Sequence, residues 1–360
     1  MAASHSVDNF ISLAAAYGLL EAEEAMLLLE IKEDTNVIVP YWNYPAFDFD
    51  AVTDGGSWVD FRFKKADIPR VIIALHLPTT ITTYNGLVVD IKEAICLLLR
   101  RFSYPNRLPD LVKQFGQRHT AELSIIISHM VNFLFDNYFE KLLCSLDQGW
   151  LSPANLKRFA QAVHDKGGAL DNCWGFIDGT IRPISRPKEN QRVVYNGHKR
   201  VHCLKYQAIA TPNGLIVNLY GPVEGSRHDA FLFSDSKILD KLSQYSFGPD
   251  GEQLCIYGDP AYPLRHTLIT GYKHNDLSAE EQEFNTSMSS ARVSVEWSFG
   301  QVLQQFSYVD FKKSQKVYLS SIGKQYAVAV ILMNIRACLY PNQTSTFFDV
   351  DPPSLEEYLG

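Results

Sequence analysis

Hydrophobic positions change their period near residue 170, dividing the chain into a helical half and a stranded half. Residues 7–33 place Ile11, Ala15, Leu19, Ala22, Met26 and Leu29 at helical spacing and end in acidic positions, which predicts an amphipathic helix. Over residues 40–60 the period is lost among Pro40, Tyr41, Trp42, Tyr44, Pro45, Phe47 and Phe49, the composition of a strap laid over a core. From residue 63 to 138 the reading is all-helical. A helix over residues 88–102 has Val89, Ile91, Ile95, Leu98 and Leu99 on its apolar face, with Arg100 and Arg101 in the last turn, where positive charge suits the dipole. A short helix over 107–116 stops at Gly116, and Thr120 can cap a second over 121–137. That spacing is the one a helix-turn-helix uses. The exposed face of its second helix offers Glu122, Ser124, Ser128, His129 and Asn132 but no arginine, so a structural role stands beside base reading.

Beyond Gly167-Gly168 the pattern is that of strands. Apolar runs predict strands over 174–177, 201–211 and 215–220, the last two joined by the turn Pro212-Asn213-Gly214, and a fourth over 254–257 that ends at Gly258-Asp259. Helices are predicted over 231–242, 290–306 and 319–338. The tail from Asn342, with Asp349, Asp351, Glu356 and Glu357, reads as acidic and mobile. A hairpin-linked trio of strands, a helix, a further strand and flanking helices is the order of the ribonuclease H-like fold, an α/β class with a mixed sheet. The division expected is a helix and strap at 1–62, an all-helical region with the helix-turn-helix-like segment at 63–168, a ribonuclease H-like domain at 169–340 and a tail at 341–360.

Composition narrows the classes. With 46% hydrophobic residues in 360 the chain has ample material for a core. A formal net charge of −7 and a pI near 5.8 exclude a generically basic nucleic-acid binder, so any contact with DNA must come from local patches. The six cysteines form no Cys-x-x-Cys pair and fall mostly in apolar segments, as reduced core thiols of an intracellular protein do. No basic stretch precedes the apolar residues 11–20, and the apolar run at 326–333 is far shorter than the roughly 20 residues a membrane span needs. Neither a signal peptide nor a membrane is expected. No nucleophile elbow, P-loop or His-Glu-x-x-His helix is present.

The chemistry is expected at Asp178, where Trp174, Phe176 and Ile177 lead into a carboxylate followed by Gly179-Thr180. This reads as a buried strand ending at an acid. In the order of strands above, the ends of the first and fourth lie side by side, which makes Asp178 and Asp259 neighbours. Two carboxylates so placed repel each other, and magnesium or manganese between them turns the cost into a binding site. Glu296 lies on the 290–306 helix with Val293, Trp297 and Gly300 expected to face the sheet, and Arg292 is four residues before it. The pair is either a surface ion pair worth a few tenths of a kcal/mol or a third metal ligand with Arg292 steering it or holding a phosphate. Asp229 can cap the helix beginning at Ala230, join the metal site, or do both. Arg182, Arg186, Lys188, Arg192, Lys199, Arg200 and Lys205 follow the first acid against the single Glu189, a strip suited to DNA phosphates that Lys312, Lys313 and Lys316 extend.

Five blocks carry a resemblance. Ile-Asp-Gly-Thr (177–180), Tyr-Asn-Gly-His-Lys-Arg (195–200), Gly-Pro-Val-Glu-Gly-Ser-Arg-His-Asp (221–229), Gly-Asp-Pro-Ala-Tyr-Pro-Leu (258–264) and Ser-Ser-Ala-Arg-Val-Ser-Val-Glu-Trp-Ser-Phe-Gly (289–300) resemble, in order, the blocks of the PIF/Harbinger transposases and the nucleases derived from them, within the DDE superfamily. The resemblance implies a metal-dependent DNA endonuclease or transposase with Asp178, Asp259 and Glu296 as its catalytic acids and Asp229 as a further metal ligand. It implies magnesium or manganese and no other cofactor, DNA as substrate, a helix-turn-helix-type amino-terminal region and a separate DNA-binding partner protein. Homo-oligomers and a nuclear location, with the cytoplasm as a second one, complete the expectation. Two ions bridged by Asp178 would activate a water and stabilise the leaving 3′-oxygen in an in-line displacement; in strand transfer a DNA 3′-hydroxyl takes the place of the water. The alternative is a domesticated, catalytically silent DNA- or protein-binding protein that keeps the fold. Retention of all the acids favours the enzyme.

Overall fold

The computed structural model describes residues 39–360 and Ala14, so the helix expected over 7–33 lies outside the described residues. A two-stranded antiparallel hairpin, β1 (Thr80–Thr82) and β2 (Val88–Asp90), sits among the helices of the first half. A six-stranded mixed sheet forms the second, from β3 (Cys173–Pro183), β4 (Tyr195–Asn196), β5 (Val201–Ala210), β6 (Ile216–Glu224), β7 (Cys255–Gly258) and β8 (Leu268–Thr270).

The hairpin corrects the all-helical reading of 63–138. Thr80, Ile81, Thr82, Val88 and Val89 are β-branched, both strands alternate exposed with buried positions, and Gly86 supplies the left-handed turn residue at φ 81°. Asp90 then caps the Ile91–Ser103 helix, its side chain accepting from the backbone of Lys92 and Glu93. That helix packs on the Thr120–Phe139 helix, which in turn packs on Ile322–Leu339. The expected helix-turn-helix pair is not shown. Its first member is a single turn, Leu108–Leu111, and the second gives Leu123, Ile126, Met130 and Leu134 to the core.

In the sheet, β3 pairs antiparallel with β5 and parallel with β7. On its other edge β5 pairs with β6, through a turn in which Gly214 is left-handed at φ 85° and the Asn213 side chain accepts from the Leu215 backbone. The Pro153–Asp165 helix lies against β3, and the long Ala279–Gln305 helix lies against β3, β5 and β7. One contiguous apolar cluster runs from Phe49 through Ile177 to Leu359, so the helical half and the sheet share a core. The Ile322–Leu339 helix is long and apolar enough to cross a membrane by length and composition, but 78% of it is buried inside this core. All six cysteines are free thiols, and burial pushes Cys144 up to about 12.

The acidic tail is folded, against expectation. Residues 343–348 and 355–359 are helical and bury Phe348, Leu355 and Tyr358. Asn334 donates to the Tyr358 hydroxyl at 2.9 Å, while its amide also bonds both backbone groups of Ile216 on β6. Apolar residues alternate with the acids here, and both glutamates have an outward task. Glu357 closes a capping box with Ser354, and Glu356 accepts two bonds from Arg70.

Candidate active site

Asp178 lies within a strand, not at its end. β3 continues to Pro183 because Gly179–Pro183 keep pairing with β5, in the register Asp178↔Ala208 to Pro183↔Cys203. On the other edge, pairing with β7 stops at Ile177↔Gly258. The next residue on each strand is an acid, so Asp178 and Asp259 are brought together as the order of strands predicts. Gly258 permits this approach, since a Cβ there would sit 2.8 Å from Ile177 Cγ2. Asp259 Oδ1 accepts from the Ala261 backbone at 2.6 Å, which fixes the turn behind it.

The third acid comes from the long helix, which starts at Ala279, well ahead of residue 290, behind a Ser278/Glu281 capping box. Its buried face is Ala291, Ser294, Val295, Ser298 and Phe299, while Val293 is exposed. The expected face of Val293, Trp297 and Gly300 is therefore rotated away from the sheet. The interior accepts Ser298 because its Oγ donates to the Ser294 carbonyl, satisfying its hydroxyl. That rotation aims Arg292 at β3. Its Nη1 donates to Asp178 Oδ2 at 2.9 Å, and its Nη2 lies 4.0 Å from Glu296 Oε1. Arg292 and Asp178 are mostly buried, whereas the Glu296 side chain is 58% exposed.

Burial pushes the Asp178 carboxyl above its ordinary range; Arg292 and the Gly179 amide pull it back, and Glu296 and Asp259 push it up again. Asp178 is thus acted on by two further carboxylates and one guanidinium. Among the described residues no three His, Cys, Asp or Glu side chains are gathered closely enough to hold a metal ion. Asp229 opens the Asp229–Asp235 helix with His228 in the capping position; its side chain lies outside what is described.

Beside Asp178 opens a cleft of about 480 Å³ walled by Gly179–Ile181, by the 196–199 turn and by the 225–228 turn, with Lys205 on its wall. Asn196 stitches the two turns, donating to the Gly225 carbonyl and accepting from the Lys199 amide. Lys199, Arg200, Arg186, Lys188 and Arg192 are exposed, whereas Lys205 is buried. Arg182 is also turned inward, donating to Asp310 at 3.1 Å and to the Thr180 hydroxyl, with its guanidinium 5.3 Å from the Tyr326 ring. The 311–319 segment joins the strip. Ser185 donates from its backbone to the Gln315 carbonyl and from its hydroxyl to that of Lys312. Burial, Arg186 and Lys312 together push the His202 imidazole down, so these segments share one positive field. Sequence reasoning missed Asp310 and His202. Asp310 carries no signal, because it lies 128 residues from the arginine it meets.

Residues 177–334 match the family model described as DDE superfamily endonuclease. The probable transposase for insertion sequence element IS702 from Microchaete diplosiphon is 29% identical over 127 residues, which is 33% of this chain. The chain spans 42% of that relative's length. No solved structure matches.

Proposed function

We propose that residues 169–340 form a ribonuclease H-like, divalent-metal-dependent DNA endonuclease of transposase type, with Asp178, Asp259 and Glu296 as its acids. One observation carries the reading: two strands that share a parallel register and one helix, far apart in sequence, bring these carboxylates to one end of a sheet, within the stretch that matches the endonuclease family.

The donor chemistry fits magnesium or manganese, which take carboxylate oxygens. Among the described residues these three carboxylates have Arg292 as their one cation, and burial, with Glu296 and Asp259 adding to it, holds Asp178 above its ordinary range. Asp178, Asp259 and Glu296 are not gathered closely enough in this structure to hold an ion, so on this reading they would close on it when it binds, with Asp229 at the head of its helix as the further ligand. When bound, it supplies Lewis-acid stabilisation of charge developing on a phosphodiester. The chain's own residues do the rest. Arg292 orients Asp178 through Oδ2, the Gly258-Asp259 turn fixes the second acid, and exposed Arg186, Lys188, Arg192, Lys199 and Arg200 hold the DNA backbone for in-line attack by water or a 3′-hydroxyl. A nuclear location and a separate DNA-binding partner protein belong to the same reading.

A second reading, a silent binding protein, draws on the Arg292–Asp178 pair, which occupies one oxygen of the first acid. Nicking of supercoiled plasmid separates the two. The nuclease reading expects manganese- or magnesium-dependent nicking that falls roughly a thousandfold in Asp259→Asn and Glu296→Gln, with DNA binding kept. The silent reading expects wild type and variants to be equally inert while still binding DNA.

A further inference from the structure

The loop that joins the basic strip from residues 311–319 ends in two large apolar side chains pointing into solvent. Tyr318 is 72% exposed and Leu319 is 78% exposed. Tyr318 also holds a left-handed backbone at φ 70°, uncommon for an aromatic residue and normally sustained by packing around it. Here the ring is not buried, and Asn190 donates to its hydroxyl at 3.2 Å from the opposite loop. A groove of about 580 Å³ lies under the pair, lined by Arg186, Lys188, Lys316 and Val317.

We propose that Tyr318 and Leu319 form an apolar wedge that enters a DNA duplex at a base step while the surrounding cations grip the phosphates on either side. The choice of DNA as occupant rests on the nuclease reading above, but charge also selects it. Residues 185–189 and 311–319 contain Arg186, Lys188, Lys312, Lys313 and Lys316 against the single Glu189, in a chain whose net charge is −7. An apolar tip alone would suit a protein groove; an apolar tip ringed by cations suits a polyanion with an apolar interior. Aliphatic and aromatic side chains that unstack a base step while cations neutralise the flanking phosphates follow the same physics. The Ser185 bonds to the 311–319 segment make wedge and grip one unit, continuous with the strip that begins beside Asp178.

The test is anisotropy of a labelled mixed-sequence DNA duplex titrated with the full chain across a salt series. Phosphate contacts set the slope of log affinity against log salt, about 0.9 for each contact, whereas stacking and wedge contacts leave the slope alone. Tyr318→Ala/Leu319→Ala should lose about tenfold in affinity with the slope unchanged, and Tyr318→Phe should bind as wild type does. Lys312→Ala/Lys313→Ala should instead lower the slope by about 1.8. A duplex carrying 2-aminopurine should brighten on binding wild type and stay dark with the double alanine variant. Wild-type affinity and wild-type brightening in that variant would overturn the wedge and leave the patch to a protein partner. Absence of duplex binding by wild type would overturn it as well. None of these readouts needs cleavage, so failure of the nuclease chemistry shows separately, as absent nicking with the wedge signals intact.

Discussion

The acid end of the sheet and the basic flank beside it are built in opposite ways. Asp178 and Arg292 project from a buried strand and a core-packed helix and are mostly shielded from water. The flank is made of loops whose cations are exposed and whose shape depends on a few bonds between residues 185–190 and 311–319. Rigid support suits chemistry, which needs geometry. A loop-borne cationic surface suits a sequence-independent grip, which needs charge and adaptability. The two regions should therefore respond to different variables, the first to single carboxylates and protons, the second to salt.

After the loss of nicking expected of the acid variants, the largest expected effect is on the affinity of the flank. Changing Arg186, Lys188, Lys312 and Lys313 together to alanine should lower duplex affinity about a hundredfold near physiological salt and reduce the salt slope by roughly 3 to 4. The thermal midpoint should hardly move, because these side chains are exposed; a large drop in stability would break the comparison. At the acid end the response should reverse. Arg292→Gln removes the cation that lowers the Asp178 pKa, so a half-shielded carboxylate is left with less counter-charge. It should cost about 2 kcal/mol at neutral pH. A carboxyl raised further in the folded state binds its proton more readily than in the unfolded chain, so part of the loss should return as pH falls through the folded pKa. Chemical denaturation at several pH values reads both the loss and its recovery. The smallest effect is Tyr318→Gly, which relieves a left-handed backbone and should raise stability by about 1 kcal/mol; a loss there would mean the exposed ring supports the fold.

The same contrast explains what was legible in the sequence. Apolar runs and an Asn-Gly turn located the starts of β3, β5, β6 and β7 to within a residue, and parallel order made Asp178 and Asp259 neighbours. What failed required partners remote in the chain. The extension of β3 to Pro183 depends on β5, so its half-polar end did not look like a strand. The long helix turns Ser294 and Ser298 inward, with Ser298 bonding the Ser294 carbonyl, so serines occupy an interior that hydropathy gives to Val293 and Trp297. The early start of that helix was readable, since Ser278-Ala-Glu-Glu281 is a capping box followed by a polar first stretch. The tail was misjudged on its acids, though Phe348, Leu355 and Tyr358 carried the signal for packing. The junction of 185 with 312 and 315 leaves no trace in either segment.

The central claim is that Asp178 organises a metal site that cuts DNA. Calorimetric titration of wild type and Asp178→Ala with manganese, with plasmid nicking followed in the same samples, tests it most directly. The expected result is metal binding and nicking in wild type and loss of both in the variant. Wild type that takes up no metal, or a variant that binds metal and nicks as wild type does, would contradict it.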